Sequence, residues 1–194
     1  MIRTVLLTAF AVSIAILGGA GSVWYALSAQ RGIGAVSIGA WTAYPDLGGP
    51  QADPYSRARV ARDGVLTLGR AEGVAFVASE DSSGERLRGE CAYTVVGSLP
   101  PARLWTLHAA DGEMRPLKPA LPHETEIHAQ SALRLPGGGV SVAVGAKPQP
   151  GNWIATSGTG PMTIVLTLYD TPLLGGTGLA DAVLPQVIRG ACDA

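Results

Sequence analysis

Three groups of side chains here are of types that do chemistry, and the spacing of each limits which chemistry. Cys91 and Cys192 stand 101 positions apart. In an oxidising compartment such a pair tends to close, and a disulfide over that length stabilises a fold by about 4–5 kcal/mol in the chain-entropy account, less any strain. The alternatives are two separate thiols, or Cys91 as a nucleophile, which needs a nearby base that the sequence does not name. The second group is His123-Glu124-Thr125-Glu126-Ile127-His128. Zinc proteases place a second histidine four residues after the first so that both reach one ion from one side of a helix, and Ile127 fills that position instead. If the segment is extended, Glu124, Glu126 and His128 share a face and could bind a cation or act as acid and base. A solvated strand edge or loop is the plainer reading. The third is Glu90, in Gly89-Glu90-Cys91, where a carboxylate on a strand needs a partner such as Arg88 or Arg103.

Aromatic rings add candidate contact surface. Trp41, Tyr55, Trp105, Trp153 and Tyr169 could floor a sugar or lipid site, since flat rings combine apolar area with a polar edge. With only two phenylalanines in the chain, rings are also needed for a core, and Trp105 and Tyr169 are expected there. Asn152-Trp153 lies between Pro150 and the Ser157-Gly158-Thr159-Gly160 stretch, so Trp153 is expected in a loop, as a plug or a contact. Glu90, Tyr93, Trp105, Asn152, Trp153 and Tyr169 are the candidate contact residues. No residue is assigned a catalytic role, no metal ligand set is assigned, and no cofactor is expected.

Nucleotide chemistry finds no footing. Lys118 and Lys147, the two lysines, each precede proline, which removes the lysine-then-hydroxyl end of a phosphate loop. Gly32-Ile33-Gly34 has Ser37 where a dinucleotide fingerprint needs glycine, and Ser157 has Ala155 where a nucleophile elbow does. The 14 basic and 15 acidic residues leave a net charge of −1, which offers nucleic acid no broad attraction.

These residues must be positioned by the rest of the chain. Thr4 to Gln30 holds no charged residue or histidine across 27 positions, more than the roughly 20 apolar residues that span a bilayer as a helix. Trp24 and Tyr25 fall where an interfacial aromatic belt would. Residues 1–31 therefore read as a single-span anchor of the inner membrane, with the C-terminal part in the periplasm. The competing reading is a secretory signal cleaved after Ala26-Leu27-Ser28. Residues 32–52, rich in glycine and proline, read as a linker with one extended piece near Val36 to Trp41.

Residues 53–194 read as one domain. Asp53-Pro54 predicts a helix start, Ala58, Ala61 and Val65 recur at helical spacing, and Gly64 predicts its stop. Arg57, Arg59 and Arg62 form its wet face, or an anionic partner's surface. From Val74 the period becomes two. Strands are expected at Val74 to Ala78, around Cys91 to Val96, and at Leu104 to Ala109, Ala132 to Leu135, Val140 to Val144 and Thr163 to Tyr169. Cys91, Tyr93 and Val95 should face one side. Short strands broken by glycine and proline predict an antiparallel sandwich.

Several of these motifs together resemble a known family. Asp53-Pro54-Tyr55, Gly89-Glu90-Cys91-Ala92-Tyr93, Pro100-Pro101 before Leu104-Trp105-Thr106-Leu107, Gly151-Asn152-Trp153-Ile154 and Leu168-Tyr169-Asp170-Thr171-Pro172 are similar to the domain of unknown function 1214, over roughly Pro54 to Cys192. The resemblance implies a jelly-roll-like antiparallel β-sandwich of a bacterial protein. It also implies a companion, the domain of unknown function 1254, often in the same chain or a neighbouring gene product. It supplies no reaction. The resulting expectation is a non-catalytic binding or assembly protein of the cell envelope. The alternatives are an envelope glycan or lipid hydrolase using Glu90 or Glu124, Glu126 and His128, and a sugar- or lipid-binding module.

Overall fold

The structure is a computed structural model that describes residues 2–28, 34–64, 66–119, 123–175, 178–179 and 181–192, with no side-chain description for 26–28, 59 and 63. Val65 and the cleavage boundary before Ala29 lie outside the described residues.

Helix α1 (Ile2–Ser28) follows from its composition, and the window Ile2–Tyr25 has a mean hydropathy of 2.0 with none of it buried. Its hydroxyls are returned to the backbone: Thr8 donates to the Thr4 carbonyl at 2.8 Å, and Ser13 and Ser22 donate to Ala9 and Gly19, each at 2.9 Å. Polar side chains so satisfied suit a helix whose surroundings offer no water. Helix α2 (Pro54–Asp63) has the expected caps. Asp53 accepts from the Tyr55 and Ser56 N–H groups at 3.0 and 3.1 Å, and Gly64, left-handed at φ 64°, donates to the Val60 carbonyl.

The remainder is mainly β, in two sheets around one core. The first holds β1 (Val36–Ile38), β2 (Trp41–Ala43), β3 (Gly73–Ala78), β9 (Met162–Tyr169), β5 (Leu104–Asp111) and β6 (Glu126–His128), in that order and all antiparallel. The second holds β10 (Gln186–Cys192), β4 (Cys91–Gly97), β7 (Val140–Gly145) and β8 (Asn152–Ala155). Phe76, Leu107, Leu166 and Leu168 from the first sheet meet Tyr93, Val95, Val142 and Val187 from the second in one hydrophobic cluster. Cys91, Tyr93 and Val95 all point inward, as their alternation requires.

Four expectations change. The sandwich is not wholly antiparallel, because β7 and β8 pair in parallel, Val142 opposite Asn152 and Gly145 opposite Ala155. The connecting Lys147-Pro148-Gln149-Pro150 carries two prolines, which cannot donate to a ladder, so the chain returns alongside β7 before turning at Gly151 (φ 85°). Ala132 to Leu135 is not a strand. The Asn152 side chain pins it instead, accepting from the Leu133 N–H at 2.7 Å and donating to the Leu133 and Ser141 carbonyls at 2.8 and 3.0 Å. Residues 32–52 are more than a linker, since β1 and β2 form a hairpin whose Trp41 is 1% exposed and pairs with Ala78. Trp153 lies on β8 rather than in a loop. The six-and-four division and the parallel pair belong to this chain, and the jelly-roll expectation reaches no further here than two facing sheets.

Candidate functional site

Strand alternation makes the outer face of the four-stranded sheet the mirror of its inner one. Where β4 and β7 turn Tyr93, Val95, Val142 and Val144 inward, they turn Ala92, Thr94 and Ala143 outward, and Gly145 and Gly190 extend this small-side-chain floor. The floor forms a concavity of about 780 Å³. Its rim carries Arg88, Glu90, Lys147, Gln149 and Thr159, and Cys91 lies at its edge. Cys91 is closed in a disulfide with Cys192, which fastens the end of β10 to the start of β4.

Glu90 is fully partnered. One carboxylate oxygen pairs with the Arg88 guanidinium, and the other accepts from the Gly160 N–H at 3.0 Å. The Arg88 hydrogen bond, helped by the Gly160 N–H, holds its carboxyl below the usual glutamate range. Of the two arginines considered for Glu90, Arg88 is thus the partner, while Arg103 lies 3.7 Å from Asp170. The Arg88 backbone N–H donates to the Tyr93 hydroxyl at 2.8 Å, and Gly89 donates to the Gly160 carbonyl at 2.9 Å. Backbones approach closely here, since a Cβ on Gly89 would sit 2.9 Å from the Gly158 carbonyl oxygen. Residues 88–90 and 158–161 are stitched into one wall.

Behind that wall is an ion pair that the sequence reading did not find. Asp81, 3% exposed, accepts from Arg189 Nε at 2.9 Å and from the Ser83 and Glu85 N–H groups at 2.9 and 3.1 Å. Burial pushes the Asp81 carboxyl up, but the Ser83 hydroxyl, the two N–H groups and Arg189 prevail and hold it below its ordinary value. The Arg189 guanidinium also lies 5.7 Å from the Tyr93 ring centre. In the Asp81-Ser82-Ser83-Gly84 turn the aspartate caps its own loop, a local signal carried by residue type. Its partner sits on β10, a strand that Gly190 and the lack of a long apolar run obscured.

The other candidates are dispersed. Tyr93 and Trp105 are core residues, at 1% and 4% exposure. Tyr169 is half-buried at the end of β9, beside a recess of about 490 Å³ shared with Arg103, Gln130 and Asp170. Asn152 is buried and engaged with Leu133 and Ser141. Trp153 is half-buried, donates from its indole to the Gly145 carbonyl at 2.9 Å, and carries His123 against its ring at 4.4 Å between centres. Glu126 and His128 flank the buried Ile127 on β6, an edge of the other sheet, while Glu124 precedes that strand. Opposite Glu126 on β5, His108 is held by burial below its usual value, against the pull of Glu126. Among the described residues no group of three His, Cys, Asp or Glu is placed to hold a metal ion. Glu90, expected on a strand, therefore stands in the turn that leads into β4 of one sheet, and the glutamate–histidine segment lies on the other sheet.

The comparisons agree with this picture of a fold without an assigned reaction. The VPA0106 protein of Vibrio parahaemolyticus shares the fold at a TM-score of 0.58 and 14% identity, over 73% of this chain and 36% of that one. An uncharacterized protein from Burkholderia cenocepacia matches at a TM-score of 0.40 and 14% identity, over 67% of this chain and 32% of its own. The chain thus spans about a third of the length of each. No curated protein matches. The model of the family described as Protein of unknown function (DUF1214) matches residues 72–173, just over half of the chain and the stretch from the approach to β3 through β9, so the chain belongs to that family.

Proposed function

We propose that this chain is a single-span inner-membrane protein whose helix α1 anchors its β domain in the periplasm, and that the domain works by binding another envelope component rather than by catalysis. The observation that carries this reading is α1 itself: a 24-residue, strongly apolar span with none of it buried by the domain leaves a surface that water does not tolerate and a bilayer does. The Cys91–Cys192 disulfide fits an oxidising compartment. The binding reading draws on the partners of Glu90, Tyr93 and Asn152, each of which spends its polar groups on the fold. The partner we infer is a protein of the companion family, domain of unknown function 1254. In the Vibrio protein the matching region is 36% of the chain, so the fold there is accompanied by further chain, as a partner would accompany it here.

The test joins topology to capture. An enzyme reporter fused at the C-terminus is expected to be active only when it works outside the cytosol; cytosolic activity overturns the anchor reading. A photo-crosslinking residue at Ala143, on the concave outer face, is expected to capture one discrete envelope protein in intact cells, while one at the exposed Ala75 of β3 captures none. Equal or absent capture from both overturns the binding face. A second reading, a sugar- or lipid-binding module, is favoured by the concavity of about 780 Å³ and is tested by thermal shift against such ligands. The hydrolase reading asks Glu90 for a proton that its partners keep away.

A further inference from the structure

At one end of the six-stranded sheet, three strand ends and one turn enclose a recess of about 490 Å³. Tyr169 ends β9 there, with Gly73 opposite it on β3 and Leu104 opposite it on β5. Position 73 has room only for glycine: at φ 156° a Cβ would stand 2.1 Å from the Leu168 carbonyl oxygen. Tyr169 therefore has a leucine side chain as its neighbour on one flank and none on the other. Glu72, Arg103, Gln130 and Asp170 line the recess with it. Their backbone is tied in place. The Asp170 N–H donates to the Glu72 carbonyl at 2.9 Å, and the Arg103 N–H donates to the Tyr169 and Asp170 carbonyls at 3.1 and 3.3 Å. The Thr171 hydroxyl donates to the Pro101 carbonyl at 2.8 Å, and in the turn after β6 that carries Gln130 the Ala129 N–H donates to the Trp105 carbonyl at 3.0 Å.

Asp170 stands at φ 48°, a left-handed conformation that aspartate tolerates better than most residues and glycine takes without cost. Its ion pair with Arg103, at 3.7 Å between side chains 70% and 83% exposed, is too long and too wet to account for a carboxylate there. A strained position held by a polar side chain beside a recess points to a ligand for that side chain. Glu72 gives Oε2 to the Gly69 N–H at 2.9 Å and keeps Oε1, while the Tyr169 hydroxyl and the Gln130 amide have no hydrogen-bond partner among the described residues. The recess thus combines carboxylate acceptors, guanidinium and amide donors and a hydroxyl that does both, beside a flat ring. Sugar hydroxyls each donate and accept, and the C–H face of a pyranose packs on an aromatic ring. Two carboxylates against one guanidinium leave the recess net negative, which turns away phosphates and carboxylates. We infer that this recess binds a neutral mono- or disaccharide, with Tyr169 as its platform and Glu72, Arg103, Gln130 and Asp170 on its hydroxyls. The site lies on the other sheet from the concavity and does not depend on what the concave face captures.

The test uses the full chain, disulfide closed, in phosphatidylcholine nanodiscs, since glycosidic detergents would compete. In saturation-transfer NMR, cellobiose, maltose or N,N′-diacetylchitobiose is expected to receive magnetisation at its ring C–H protons, and glucuronate and glucose 6-phosphate far less. Asp170→Gly removes the carboxylate and relieves the backbone. Its melting temperature is expected to match or exceed the parent's while affinity for the bound disaccharide falls about tenfold, as for a lost hydrogen bond to a charged group. Gln130→Ala, in an exposed turn, is expected to weaken binding about fivefold with the melting temperature unchanged. Tyr169→Phe, which keeps the platform, is expected to bind better than Tyr169→Leu. Absence of transfer to all of these disaccharides overturns the inference, as does tighter binding of the anionic sugars, or an affinity that neither Asp170→Gly nor Gln130→Ala changes. Binding lost on Ala143→Leu, which fills the concavity, and kept on Gln130→Ala overturns it as well and moves the sugar to the four-stranded sheet.

Discussion

The two sheets are held together by different means. In the six-stranded sheet the central pair β5 and β9 stays in register over eight residues, from Leu104 opposite Tyr169 to Asp111 opposite Met162, and β3 adds six more on the other side of β9. Backbone ladder and apolar packing account for it. The four-stranded sheet has no eight-residue ladder, and it contains a parallel pair and a register shift between Arg189 and Cys192. It is fastened by side chains: the Cys91–Cys192 disulfide, the Asp81–Arg189 pair, the Arg88–Glu90–Gly160 clasp and the Asn152 bridge. Cross-links at its rim let the second sheet keep a floor of alanine, threonine and glycine on its outer face, where larger side chains would otherwise add area and close the concavity.

The sharpest break should come in the ladder sheet. Phe76 is 0% exposed at the centre of β3, and Phe76→Ala is expected to cost about 3–5 kcal/mol in denaturant unfolding, lost cooperatively across both sheets. Replacing Cys91 and Cys192 together with serine is expected to cost about 2–5 kcal/mol, but locally first. Amides of β10 should exchange with deuterium well before those of β9. If both strands lose protection together, the fastening is not confined to the second sheet.

Acid should separate the sheets further. Asp81→Ala leaves Arg189, whose side chain is only 25% exposed, with Glu85 and the Arg86 carbonyl as partners, and is expected to cost about 2–3 kcal/mol. The Asp81 carboxyl is lowered in the fold, so its stabilisation is complete above the unfolded value of about 4 and disappears as pH falls through the lower folded value. His108 is also lowered, but it is a base kept neutral. Its unfolded form takes up a proton below about 6.5 while the folded form resists, so stability declines as pH drops from 7 toward its folded value. His108→Gln should flatten that upper limb of a stability-against-pH curve and leave the lower one; Asp81→Asn should do the reverse.

The same contrast decides what could be read in the sequence. Strands β3, β4, β5, β7 and β9 announced themselves because apolar residues alternate or run together for six to eight positions, and the α2 caps because Asp-Pro and Gly are local signals. β10 leaves no pattern in the sequence because Gln186 to Cys192 has only Val187 buried, and its place is set by Arg189, Ser82 and a disulfide from distant parts of the chain. β8 is hidden in the sequence because prolines precede it and its pairing is parallel, a register no hairpin turn foretells. Ala132 to Leu135 looked like a strand by composition, but the Asn152 amide holds its backbone instead of a ladder. Trp153 and His123 each stand out in the sequence, whereas their ring contact does not, because it depends on that unforeseen strand.

Glu90 gives the smallest expected effect on stability and the cleanest separation of structure from chemistry. In its ion pair Arg88 is 59% exposed and Glu90 20%, so water reaches the guanidinium and screens the Coulomb attraction, and long side chains lose freedom in keeping it. Glu90→Gln retains an oxygen that can accept from Gly160 and removes only the charge. The melting temperature should stay close to that of the parent, and β10 exchange should not change. Capture from Ala143 should persist if the concave face binds by shape. A hydrolase would respond differently, since an amide is neither acid nor base, and loss of an envelope phenotype with folding and capture intact would move Glu90 from the clasp of the second sheet to the centre of a reaction.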